Sequence, residues 1–201
     1  MAFDVSTPLF FFRHGETFYN AEGRIQGQLD TPLSPLGRAQ AAESGRLLGA
    51  TLAADGLATQ ALGWFASPLA RAAETMELAR GALGLPGEDF ARDKRLMELS
   101  FGRWQDHTWA EIGARFPGAV AARKANFWNF RPPDGESYAD LAARVASFLD
   151  GLSGPAVVAA HGGVARALMT LIGGVKPEDT RGMPVHQGRL LVFSGGRGCW
   201  T

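Results

Sequence analysis

The stretch Ala156-Val157-Val158-Ala159-Ala160-His161-Gly162-Gly163 decides the fold. Five consecutive apolar residues with no polar alternation suit a strand buried on both faces at the centre of a parallel sheet. His-Gly-Gly then turns into a helix expected from Val164 to Ile172, which Gly173-Gly174 ends. The same order recurs upstream. Leu9-Phe10-Phe11-Phe12 reads as a first strand running into Arg13-His14-Gly15-Glu16, and Trp64-Phe65-Ala66 as a second running into Ser67-Pro68. Ser34-Pro35 supplies an N-cap and a proline at the first helical position for a helix to about Ala53, with Leu36, Ala39, Leu47, Leu48 and Leu52 as its apolar stripe. A helix from about Leu69 to Leu83 is stopped by Gly84. Phe90 to Leu99 reads as a third strand, Ser137-Tyr138-Ala139-Asp140 as a capping box opening a helix to about Leu152, and Arg189 to Phe193 as the last strand. Short apolar runs alternating with amphipathic stretches define an α/β fold, and no repeat or linker divides it.

Twenty basic and twenty acidic side chains cancel. A net charge of zero argues against gripping a nucleic-acid backbone as the main task. Seventeen of the basic residues are Arg, the side chain suited to two-pronged contacts with phosphate or carboxylate. Cys199 is the single cysteine, so no internal disulfide can form and a reducing cytoplasmic setting is expected. The opening residues Met1 to Val5 lack the basic region of a signal peptide, and no apolar run is long enough to span a membrane.

In open α/β sheets, ligands bind where strands end and helices begin. Two of the four histidines, His14 and His161, stand at such ends, with Arg13 and Arg71 close by in sequence to two of them. A single histidine at a strand end is more often a polar loop residue. Two on neighbouring parallel strands beside arginines suit an anionic substrate handled by nucleophilic or acid–base chemistry.

At these residues the chain resembles the histidine phosphatase superfamily, which includes phosphoglycerate mutases and α-ribazole phosphatase-like enzymes. Arg13-His14-Gly15-Glu16-Thr17, Asn20, Gly23-Arg24, Gln26-Gly27 and Asp30 are similar to its opening signature. Ser67-Pro68-Leu69 with Arg71 and Thr75, then Leu96, Glu98, Phe101-Gly102 and Trp104, and His161-Gly162-Gly163 with Arg166, resemble later blocks in the family order. Pro132-Pro133 and Gly135-Glu136-Ser137 lean toward the phosphatase branch. The resemblance implies a three-layer α/β/α sandwich with a mostly parallel central sheet, like that of phosphoglycerate mutase. It also implies one domain over 1–201 with a cap-like helical insertion at about 101–136.

It implies, further, a phosphomonoesterase acting on small-molecule phosphate esters. His14 is then the nucleophile, Glu98 the general acid and base, and Arg13, Asn20, Arg71 and His161 the groups around the phosphate. Glu16, Gln26 and Trp104 become substrate-contact candidates, with Phe127 and Trp128 available in the cap. Arg13 and Arg71 should disfavour imidazolium at His14 by like-charge repulsion while neutralising phosphate oxygens. No metal or other cofactor is implied, because these cations can hold the spread charge of the transition state. Glu98 must carry a proton when substrate binds, a state that the phosphate dianion favours and the arginines oppose. His107, His186 and Cys199 read as structural or surface residues.

Departures from the family pattern include Phe18-Tyr19 before Asn20, Ala160 in place of a small hydroxyl residue, Gln105-Asp106 after Trp104, and Gln187-Gly188. These bear on substrate contacts. A phosphoglycerate mutase-type phosphotransferase is a second reading, although the segment that mutases insert before the cap is missing here. A catalytically silent phospholigand-binding protein is a third, disfavoured by the presence of His14, Glu98 and His161 together.

Overall fold

The computed structural model describes residues 3–201. Met1 and Ala2, the start of the stretch read as lacking a signal peptide, lie outside them. The chain order is β1 (Leu9–Arg13), α1 (Phe18–Ala21), α2 (Pro35–Asp55), β2 (Gly63–Ala66), α3 (Ala70–Ala82), β3 (Ala91–Arg92), α4 (Trp109–Arg115), α5 (Ala119–Ala125), α6 (Tyr138–Leu149), β4 (Ala156–Ala160), α7 (Gly162–Leu171), β5 (Leu191–Ser194) and β6 (Arg197–Trp200).

Every residue of β4 is buried. It pairs in parallel with β1 on one side and β2 on the other, so both of its edges are hydrogen-bonded as well. The sheet runs β3-β2-β4-β1-β5-β6, with β5 and β6 antiparallel at one end. Alternate residues feed two cores. Phe10, Phe12, Val157 and Ala159 pack with Leu48 and Leu52 of α2 and Met76 and Ala79 of α3. Leu9, Phe11, Val158 and Ala160 pack with Val145 and Phe148 of α6 and Val164 and Leu168 of α7. The result is the three-layer sandwich with a mostly parallel sheet.

Several boundaries differ from the sequence reading. The Ser34 hydroxyl accepts from the Gly37 N–H as expected, but Leu36 and Ala39 are exposed. The buried face of α2 is instead Gly37, Ala41, Ser44, Gly45, Leu48 and Leu52. Close backbone approach selects those small residues: a Cβ on Gly37 would overlap the Glu16 carbonyl, and one on Gly45 the Ala79 backbone. The third strand shrinks to Ala91–Arg92. Asp93 accepts from both the Arg95 backbone N–H and its guanidinium, which turns the chain into a 3-10 segment at Lys94–Leu96. At the end of the chain, β5 is joined to an unexpected β6 by Gly195-Gly196, both with positive φ, a two-residue hairpin turn that glycine favours.

Between Phe101 and Pro132, α4 and α5 surround a small apolar cluster separate from the sheet. Trp104, with no exposed surface, stacks on Phe130 at 5.4 Å and meets Trp109 edge-on at 6.0 Å, beside Ile25 and Ile112.

The crossing of α2 and α3 at Gly45 gives a test with a decided sign. Helix propensity alone predicts that Gly45→Ala stabilises by about 1 kcal/mol, whereas overpacking against a backbone that cannot yield costs about 1–3 kcal/mol. We expect net destabilisation, read as a lower urea midpoint with unchanged slope; a raised midpoint would refute the close crossing.

Candidate active site

The register that pairs Arg13 with Ala160 places the next residue of each strand, His14 and His161, side by side. The His14 N–H donates to the Ala160 carbonyl at 2.9 Å, and the two rings lie 5.2 Å apart at 58°. His14 Nδ1 is 2.7 Å from the Gly15 carbonyl. A carbonyl can only accept, so Nδ1 carries the proton and Nε2 keeps its lone pair. Burial holds this imidazole well below the usual histidine range, with Arg71 and then Arg13 adding to the effect and the Gly15 carbonyl opposing it. The arginine effect expected from sequence is present, but desolvation is the larger cause.

His161 lies fully buried behind His14, with Nε2 2.8 Å from the Ser67 hydroxyl. Burial, then Arg71, His14 and Arg13, holds it neutral as well.

Arg13 and Arg71 are oriented mainly by carbonyl groups. Arg13 Nη1 donates to Val185 O; Arg71 donates to Leu29 O at 2.8 Å and Gly27 O at 2.7 Å, with the Asp30 carboxylate more distant at 3.8 Å. Burial lowers Arg71 to about 10, which leaves it charged at neutral pH. Three buried nitrogens here, Arg13 Nε, Arg71 Nε and His161 Nδ1, have no partner among the described residues.

Glu98 stands opposite, on the chain that leaves the 3-10 segment. Its carboxylate accepts from Leu99 N–H at 2.8 Å and from Gly163 N–H in the first turn of α7 at 3.0 Å. Its carbonyl accepts from Gln28 and Arg144, which fix the backbone beneath it. Asn20 closes another side. Its Oδ1 accepts from Thr17 N–H and from Gln187 Nε2, so the donor end of the amide is left for the pocket.

Arg13, His14, Asn20, Gln26, Arg71 and Glu98, among others, line a cavity of about 460 Å³, whereas His161, beside His14, has no exposed surface and does not reach its wall. Gln26 lines it while accepting from the Thr31 hydroxyl. Two expectations are not met. Glu16 turns toward α2, its carboxylate accepting from the Ser34 hydroxyl, and Trp104 is spent in the cluster under α4. Phe127 reaches the wall, whereas Trp128 stacks on Tyr138. His107 is taken up by Gln105 O and Arg115, His186 sits edge-on to Trp200, and Cys199 is exposed.

Sequence reasoning gave no role to Arg24 and Arg166, which it had noted only within motifs, and missed Arg123, Arg181 and Tyr138 on the wall. Arg123 and Arg181 sit in segments with no sequence signal, so only the fold brings them in.

A neutral histidine with a free Nε2, ringed by buried arginines and faced by a carboxylate, defines a phosphoryl-transfer type of pocket. The sequence profile of the histidine phosphatase superfamily (branch 1) matches residues 9–201, and the chain belongs to that family. It is 39% identical over 174 residues to a glucosyl-3-phosphoglycerate phosphatase of Mycobacterium tuberculosis, covering 80% of this chain and 72% of that protein. It is 30% identical to a 2,3-bisphosphoglycerate-dependent phosphoglycerate mutase of Beijerinckia indica, covering 92% and 90%. Among solved structures, a mycobacterial glucosyl-3-phosphoglycerate phosphatase in complex with VO3 superposes with a TM-score of 0.78 at 33% identity, covering 97% of this chain and 96% of that one.

Two expectations arise from this geometry. A Cβ on Gly163 would overlap the Glu98 carboxylate, whereas one on Gly162 meets only ordinary contacts of 3.6 Å and beyond. Gly163→Ala should therefore lower kcat for phosphate-ester hydrolysis on the order of 100-fold through a displaced Glu98 carboxylate, and Gly162→Ala by a few-fold only. Equal effects of the two would count against this placement.

The second concerns acid stability. Both histidines are held neutral in the fold, so below pH 6.5 the unfolded chain binds protons that the folded chain does not. Stability is fully present above that pH and declines as pH falls through it, by about 1.4 kcal/mol per pH unit for each histidine. Chemical denaturation should show stability falling between about pH 7.5 and 5.5, with a clearly smaller fall in His161→Gln. An unchanged loss in that variant would refute the linkage.

Proposed function

We propose that this chain is a metal-independent phosphomonoesterase for small organic phosphates, working through a phosphohistidine on His14. The observation that carries the reading is the protonation pattern at His14: Nδ1–H is spent on the Gly15 carbonyl, and burial beside Arg71 and Arg13 keeps Nε2 unprotonated. A neutral nucleophile inside a cationic cluster attracts a phosphate dianion without being quenched by it.

In the first step the Nε2 lone pair forms the N–P bond as the P–O bond to the leaving group breaks. Glu98, entering as the acid, gives its proton to the departing oxygen. In the second step Glu98, now a carboxylate, takes a proton from water as the water oxygen attacks phosphorus and the N–P bond breaks. Inorganic phosphate leaves, and both side chains return to their starting states. Arg13, Arg71, Asn20 and His161 hold the equatorial oxygens. The partnerless nitrogens of Arg13, Arg71 and His161 support this, since buried donors without acceptors are costly and a bound oxyanion satisfies them. The arginines supply the charge that a metal supplies in other phosphoryl-transfer sites.

The segment at about 101–136 then serves as the cap over the site, with α4, α5 and the turn that follows α5 placing Trp109, Arg123 and Phe127 on the pocket wall. The exposed thiol of Cys199 supports a reducing cytoplasmic setting; no helix among the described residues is long and apolar enough to cross a membrane. The likeness to glucosyl-3-phosphoglycerate phosphatases makes phosphorylated sugar acids the first substrates to assay. The likeness to phosphoglycerate mutases keeps a phosphotransferase as the second reading.

Incubation with radiolabelled phosphate ester should leave acid-labile, base-stable label on the wild type and none on His14→Ala. Phosphate release should persist in a chelator and drop by at least about 1,000-fold in His14→Ala. Full activity in that variant would overturn the proposal; isomerised phosphoglycerate without free phosphate, given a bisphosphate primer, would favour the mutase.

A further inference from the structure

The reaction depends on one tautomer of His14, with the proton on Nδ1 held by the Gly15 carbonyl and Nε2 open. That carbonyl has to stay in place, and the residue that carries it works against this. A Cβ on Gly15 would overlap the backbone of Gly37 in the first turn of α2, so only glycine fits there. Glycine also lets its flanking peptides rotate more freely than any other residue.

Three elements pin the turn at three successive N–H groups. His14 donates to Ala160 O of β4, Gly15 to the Thr75 hydroxyl of α3 at 3.1 Å, and Glu16 to Gln40 Oε1 of α2 at 2.8 Å. A backbone N–H can only donate, so the Gln40 atom that meets it is the amide oxygen. The Glu16 N–H and the Gly15 carbonyl belong to one planar trans peptide and point in opposite directions, so a grip on the first fixes the second. Hydrogen bonds in a chain also polarise one another, which makes the gripped carbonyl a stronger acceptor. Gln40 is not among the described residues that line the cavity. Gly188, with φ +68°, packs against its stem, where an added Cβ would stand 3.1 Å from Gln40 Cγ.

We propose that Gln40 is a positioning residue for the nucleophile, whose side-chain oxygen holds the Gly15–Glu16 peptide and through it the His14 tautomer that can attack phosphorus. This deepens the phosphomonoesterase reading and rests on it for His14 as the nucleophile. The proton stays on Nδ1 while Nε2 makes and breaks its bond to phosphorus, so the phosphorylated ring is cationic. The polarised carbonyl facing Nδ1 stabilises that charge. Gln40 thus supports formation of the phosphohistidine without touching the substrate.

The test uses the intact chain with isotope-labelled histidine. Two-bond proton–nitrogen correlation spectra at neutral pH should show His14, identified by its absence in His14→Ala, as the Nδ1–H tautomer alone. Gln40→Met keeps the length of the side chain and removes the acceptor. In it the Nε2–H form should appear and the rate of phosphoryl labelling from the ester should fall by about tenfold or more, with the affinity for inorganic phosphate unchanged. Gln40→Glu keeps an oxygen for the Glu16 N–H and should restore most of both the tautomer and the rate. Arg38→Gln, which breaks an exposed ion pair with Glu74 on the same turn of α2, should match the wild type in both. A wild-type His14 protonated on Nε2, an unchanged tautomer in Gln40→Met whatever its rate, no recovery in Gln40→Glu, or the same loss in Arg38→Gln would overturn the role. Because the spectra need no turnover, the two readings fail separately. A tautomer that depends on Gln40 with no labelling or phosphate release refutes the hydrolytic reading alone. His14-dependent phosphate release that Gln40→Met leaves at the wild-type rate refutes the positioning role alone.

Discussion

The parallel pairing of β1 with β4 governs the rest of the molecule. Arg13 lies in register with Ala160, and the chains leave the sheet together as His14 and His161. Side chains alternate between faces along a strand, so a slip of one residue would exchange Phe10 and Phe12 with Leu9 and Phe11 between the two cores. The same slip would separate the two imidazoles. The apolar pattern that stabilises the sandwich therefore also sets the contact between the histidines, and neither can drift without a large loss of burial.

Cations on a buried wall are costly, and this protein keeps them largely without neutralising them. Carbonyl oxygens at Val185, Leu29 and Gly27 direct Arg13 and Arg71, which satisfies N–H groups while leaving the net positive charge in place. Direct carboxylate pairing would weaken the field felt at His14 and compete with a phosphate for the same donors. Arg24, by contrast, is paired with Glu22 and Glu111, and Arg144 with Glu136, where the charge is structural. A zero net charge is thus compatible with a cationic pocket, because most of the compensating acids lie elsewhere.

How much of this was legible in the sequence followed the range of the interactions. Strand ends are local: Ala156–Ala160 and the residues after it announced themselves, as did Arg13 and His14. Glu98 was legible only through family resemblance, because Asp93 and Arg95 bend the expected third strand into a 3-10 segment before Glu98 is reached. Leu36 and Ala39 were misassigned since hydrophobicity alone cannot report that α2 approaches its neighbours through Gly37 and Gly45. Arg123 and Arg181 gave no signal at all. They come from separate segments, and their meeting depends on how α5 and the Asp179–Gly182 turn pack.

The small cluster around Trp104 gives the connection between the Arg24–Gly27 loop and α4 a physical form. Ile25, from the opening signature, packs beneath Trp104 and Ile112 rather than against the sheet. Its N–H donates to His107 O and its carbonyl accepts from Asp106 N–H, while Arg24 pairs across to Thr108. The loop that carries Gln26 and Gly27 to the pocket wall is therefore hydrogen-bonded to the segment that starts α4. Gly27 O in turn orients Arg71. A shift of α4 relative to the sheet would pull on Ile25, move Gly27 and release one of the two carbonyls that aim Arg71. Because these contacts are packed and hydrogen-bonded rather than hinged, the position of α4 and the orientation of Arg71 on the pocket wall are mechanically coupled.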